Sequence, residues 1–155
     1  MPLWHDVIAA GIAVACYSVF FSMPFDMMPW PIAVGAAAHA LRWVVLTAVG
    51  ASAATGAFVA CLIVGVIIAP ISRRLRTPFA AIAFASVVSI MPGVFMFRMA
   101  SGLVQLANSS QMTWELMEAT FADGSIAILV ILAMSLGLII PKLILDYVGQ
   151  NRRSR

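Results

Sequence analysis

Ser89-Ile-Met-Pro-Gly-Val-Phe-Met-Phe-Arg-Met-Ala-Ser101 sets a proline, a glycine and an arginine inside one of the most apolar runs of the chain. Proline cannot donate to a helix ladder and its ring clashes with the preceding turn, while glycine permits a turn or a close backbone approach. The stretch therefore predicts a helix broken near Pro92-Gly93. What the break means depends on the solvent around it. Of 155 residues, 63% are hydrophobic and only 10% charged, with a mean hydropathy of +1.05, far from the composition of a soluble domain. Runs that approach or exceed the roughly 20 apolar residues needed to cross a bilayer as helix recur along the chain. The sequence reads as an all-α integral membrane protein, a single transmembrane domain over residues 1–155.

Proline, charge and polar clusters divide the chain into about five expected spans, 6–23, 31–50, 53–71, 79–106 and 119–143. The first stops at Pro24-Phe-Asp-Met-Met-Pro-Trp-Pro31, and the third at Pro70-Ile-Ser-Arg-Arg-Leu-Arg76. The first also lacks a basic n-region, so it does not read as a cleaved signal peptide. The fourth carries the opening motif as its midpoint break. The net charge of +3 does not indicate nucleic acid, because seven of the Lys and Arg residues form two short clusters beside apolar runs, Arg73, Arg74 and Arg76 between the third and fourth spans, then Lys142, Arg152, Arg153 and Arg155 at the end of the fifth. Short basic segments stay cytoplasmic. Five crossings put both clusters on one side, with the N-terminus outside and the C-terminus in the cytoplasm. Cys16 and Cys61 both lie in apolar runs, where a thiol behaves as a small hydrophobe.

Setting aside the charges of the loops and span ends leaves His39, Arg42, Arg98 and Asp123 within the expected spans. Arg42 falls near the middle of the second span, with His39 three positions earlier on the same helical face. A charge at bilayer depth costs roughly 2.5–3.5 kcal/mol on insertion scales and normally faces a partner or a water-filled path. The competing reading is a structural arginine bonding backbone carbonyls, with His39 as its packed neighbour. At the Pro92-Gly93 break, irregular backbone survives only inside protein or beside water. The start of the second half-helix then offers a partial positive end to an anion, to which Arg98 adds a full charge. A kink that only shapes packing, with Arg98 reaching for the outer interface, is the alternative. Asp123, about one turn into the fifth span, either meets Arg98 or is interfacial in the first turn of its helix, where the dipole favours it.

Missing motifs narrow the chemistry. There is no GxxxxGK[ST] phosphate loop and no metal-site spacing of His, Cys, Asp and Glu. His5 and His39 are the only histidines, and nothing orients either as a catalytic base. No metal, no cofactor and no enzymatic activity are expected.

The Ala/Gly-rich second span with His39-Ala-Leu-Arg42, the motif Ser89-Ile-Met-Pro-Gly93, and a last span ending Ser135-Leu-Gly-Leu-Ile-Ile-Pro141 before a basic tail together resemble the threonine/serine exporter (ThrE-type) family. They are most similar to the small YjjB-like subunit of its split, two-chain form. The resemblance implies a secondary exporter of the bacterial inner membrane for small amino acids or small carboxylates, with a larger companion chain supplying the other half. The matching positions are His39, Arg42, Pro92 and Gly93; Arg98 and Asp123 depart from the family's pattern, which bears on the anion or zwitterion accepted. Within this reading the substrate is threonine or serine, or alternatively a succinate-like dicarboxylate. A channel or multidrug-type transporter would more naturally show an intramembrane Glu, and no expected span carries one. A non-transporting assembly protein, whose polar residues serve only packing, is the reading of another class.

Overall fold

The computed structural model describes residues 3–108 and 113–153, with the side chains of Leu3, Asp6 and 150–153 outside that description. Every described element is helical: α1 (Leu3–Phe20), α2 (Pro29–Ala48), α3 (Ala53–Leu75), α4 (Phe79–Val87), α5 (Gly93–Asn108) and α6 (Trp114–Arg153), with single 3-10 turns at Phe25–Met27 and Val88–Ile90. This is an all-α membrane protein. α2 with the turn before it, α3 and α6 are each long and apolar enough to cross a membrane; the α4–α5 pair makes a fourth candidate if its two arms count as one span, and α1 is a shorter apolar helix. The expected count of five is therefore approximate.

The ends of the elements follow from their local sequences. α2 begins on Pro29, where a missing N–H costs nothing. Ser52 caps α3 by accepting from the Thr55 N–H at 3.2 Å, and Arg76 ends it in the left-handed conformation, φ 54°. Two helices run beyond the expected spans. α3 continues through Pro70 to Leu75, and α6 runs from Trp114 through Pro141 to Arg153, well beyond 119–143. Proline is tolerated inside helices of membrane proteins where neighbouring groups accommodate the local change. Here the Pro141 ring packs into the space left at Gly65, where an added Cβ would sit 3.0 Å from its Cγ.

α3 is the central helix. Its buried residues Gly56, Ala57, Ala60, Cys61, Val64, Gly65, Ile68, Ala69 and Ser72 recur at helical spacing. It packs most extensively on α6 and also against α2 and α4. Small residues let the α3 and α6 backbones approach closely: a Cβ at Gly137 would stand 2.8 Å from the Phe58 carbonyl oxygen. The buried hydroxyls of Ser18, Ser86 and Thr120 are satisfied within their own helices, by the carbonyls of Val14, Ile82 and Leu116, so these three add no polar load to the core. α5 leans away from α4 by 63° and rests chiefly on α6.

Candidate functional site

The break falls where the sequence places it. α4 tightens into the 3-10 turn at Val88–Ile90, Pro92 is buried, and α5 starts at Gly93. Its ladder is partly restored locally, the Gly93 N–H donating to the Met91 carbonyl at 2.8 Å and the Met96 N–H to the Pro92 carbonyl at 3.0 Å. Ser89 Oγ is buried there with no hydrogen-bond partner. Nothing in the structure demands glycine at 93: its φ is not positive, and an added Cβ would meet open space. Pro92 accounts for the break. The cleft beside it, about 110 Å³, is almost wholly apolar, lined by Phe84, Val87, Met91, Ile131, Met134 and Leu138, with Ser135 the one hydroxyl.

His39 lies on the core face of α2 with Pro31, Val34, Gly35 and Ala38, and is 5% exposed. Arg42 continues that face one turn on, half-buried, with its stem against Gly56 of α3. It sits about one turn past the middle of α2, which runs from Pro29 to Ala48. Its Nε is buried without a hydrogen-bond partner.

Arg98 and Asp123 are brought together in a different place. Both line a cleft of about 210 Å³ between α5 and α6, with Ser101, Gln105 and Thr120. Arg98 is exposed and Asp123 half-buried, and no ion pair joins them. Gly102 makes this hairpin tight, because a Cβ there would collide with the Thr120 side chain. Asp123 lies further into its helix than the expected span start suggests: α6 starts at Trp114, so the carboxylate is more than two turns from the helix start. The packing α5–α6 and α2–α3 thus separates the expected site residues into two groups, His39 with Arg42 and Arg98 with Asp123. Among the described residues no group of His, Cys, Asp and Glu could hold a metal.

A family model described as Threonine/Serine exporter, ThrE, matches residues 6–144. The chain belongs to the threonine/serine exporter family. No solved structure matches it. For this exporter-family chain the match takes in α2 to α5 whole and most of α1 and α6, including the break and both charged groups.

One end of the exporter bundle is basic. Arg73 Nη2 meets Asp146 Oδ1 at 2.5 Å, joining the end of α3 to α6, and Lys142 lies 5.5 Å over the Phe79 ring. These groups, with Arg76, Thr77 and Ser72, surround an open basin of about 300 Å³. The two basic clusters that the sequence assigns to one side therefore meet at one end of the bundle through Arg73 and Lys142; Arg152, Arg153 and Arg155 lie outside the described side chains. No sequence signal foretells the Arg73–Asp146 pair, which depends on α6 running on past residue 143.

Proposed function

We propose that this chain is the small membrane subunit of a two-chain secondary exporter of small amino acids, threonine and serine, or of small carboxylates, working with a larger companion subunit in the bacterial inner membrane. The observation that carries the reading is the exporter-family match over residues 6–144: the membrane helices themselves bear the likeness. Three features support the need for a companion. The chain shows no inverted repeat to supply the two related halves that rock about a midplane site in many secondary transporters. Arg42 finds neither a hydrogen bond nor a carboxylate among the described residues. α5 rests chiefly on α6, leaving Val94, Phe97 and Val104 exposed.

The test is to express the chain alone and with its companion in cells loaded with a threonine-containing dipeptide, or grown to accumulate succinate, and to follow release. Export is expected only from the pair. Equal export by this chain alone, at equal membrane levels, rules out the two-chain reading; no export of either compound by the pair leaves the assembly-protein reading.

The same reading places the basic end in the cytoplasm and the connection between α5 and α6 outside. With Cys16 and Cys61 replaced by serine, a thiol introduced as Ser110→Cys should react with an impermeant reagent added to intact cells. Leu75→Cys should react only after the membrane is opened. The reverse pattern would invert the topology.

A further inference from the structure

We propose that the cleft between α5 and α6 is a binding site for a small zwitterionic α-amino acid, its carboxylate held by Arg98 and its ammonium by Asp123. The proposal rests on the exporter reading and gives it a site.

Arg98 lies ten residues before the end of α5 at Asn108, and Asp123 nine residues after the start of α6 at Trp114. At about 1.5 Å per residue each is some 15 Å along its helix from the connection, so the two charges stand at the same level of the α5–α6 pair. Opposite charges set together on apolar helices ordinarily lower their cost by pairing with each other. These two do not: they line the same cleft, about 210 Å³, with no ion pair between them. A ligand that fits must carry both charges, negative toward Arg98 and positive toward Asp123.

Size and lining narrow the class. The cleft is smaller than the roughly 300–1,000 Å³ of sites for drug-sized ligands, so it takes a small metabolite. Guanidinium presents a planar fork to a carboxylate. Thr120 Oγ1 donates to the Leu116 carbonyl at 2.6 Å and Gln105 Nε2 reaches Ser101 Oγ at 3.3 Å, so the hydroxyl oxygens of Thr120 and Ser101 keep lone pairs for a polar side chain or an ammonium. A dicarboxylate is disfavoured, because its second carboxylate would face Asp123 without a cation.

The experiment measures binding of L-threonine, L-threonine amide, N-acetyl-L-threonine and succinate to the purified exporter, with its companion where both are needed, in lipid nanodiscs by calorimetric titration. The amide lacks the carboxylate and the acetyl compound lacks the ammonium. Wild type should bind threonine and discriminate against the other three. Arg98→Gln should weaken threonine about 10- to 100-fold, the range for a lost charge-assisted hydrogen bond, and erase the preference for threonine over its amide. Asp123→Asn should erase the preference over N-acetylthreonine. These matched losses are a pattern that general destabilisation does not produce. Where the neutral variants fail to accumulate, Arg98→Lys and Asp123→Glu keep both charges; each should weaken threonine about threefold or more through altered geometry, and unchanged affinity in both overturns the site. Threonine binding with all preferences intact in the neutral variants overturns the site and leaves the exporter reading standing. So does wild-type binding of succinate in place of threonine. Binding of none of the four, together with no export in cells, overturns both.

Discussion

Gly137→Leu is expected to remove the folded protein from the membrane almost completely. At this position the α6 backbone passes so close to α3 that a single added Cβ would stand 2.8 Å from the Phe58 carbonyl oxygen, 2.9 Å from Cys61 Cβ and 3.1 Å from the Leu62 nitrogen. Two of these three atoms are backbone, so no rotamer change relieves the contact, and the helices must separate. Separation propagates, because one turn away Gly65 receives the Pro141 ring and faces the Leu138 and Gly137 carbonyl oxygens at 3.2 and 3.3 Å from its own missing Cβ. Overpacking in a filled core costs about 1–3 kcal/mol and sometimes more, against net stabilities of about 5–15 kcal/mol. A leucine here is at the upper end, since it opens the largest interface in the molecule. Membrane levels by immunoblot and the elution profile of detergent extracts provide the check. Gly137→Ala should show a partial loss and Gly93→Ala none, as the space around Gly93 is open. A Gly137→Leu protein that accumulates and elutes like wild type would mean that α3 and α6 do not cross as described.

The same seam shows what could be read in the sequence and what could not. Hydropathy finds the helices because each must hide its backbone polar groups from lipid, and Ser52, Pro29 and Pro92 mark ends through local chemistry that needs no tertiary partner. Pro70 and Pro141 mark no ends. Whether a proline stops a helix or sits within it is decided by what lies beside its ring, and for Pro141 that is Gly65, 76 residues earlier in the chain. The candidate site is subject to the same limit. Arg98 and Asp123 are each visible as charges in apolar surroundings, but their shared depth depends on where α6 begins. The polar segment around Trp114 and Glu115 reads as a loop, although it forms the first turn of that helix. His39 and Arg42 are legible as one face of α2 from their spacing; that this face belongs to a different part of the bundle from Arg98 is a fact of packing that no local pattern records.

Arg42→Gln is expected to abolish most export while leaving the membrane level of the protein unchanged. An arginine that held the bundle together would be identifiable by its acceptors, and among the described residues none offers Arg42 a hydrogen bond or a carboxylate; its Nε is buried without a partner. An unmet buried donor costs about 1–3 kcal/mol. Its removal should therefore be neutral for folding or slightly favourable, the opposite of what a structural arginine predicts. The stem lies against Gly56, where an added Cβ would be 3.5 Å from Arg42 Cγ; glutamine keeps that part of the contact and loses only the guanidinium. The guanidinium is then expected to act on a group beyond the described residues, a substrate carboxylate in transit or an acceptor on the proposed companion subunit. Either role fails when it is removed, and the loss of one charge-assisted contact corresponds to about 10- to 100-fold in rate or affinity. Arg42→Lys separates the two. A carboxylate in transit, gripped by the planar fork, should be handled poorly by a point charge, so Lys should export nearly as badly as Gln while the two subunits still co-purify. If the contact is instead with the companion, co-purification should weaken in Arg42→Gln in step with export. Wild-type export by both variants would remove Arg42 from the path and leave the α5–α6 cleft as the charged site on which transport depends.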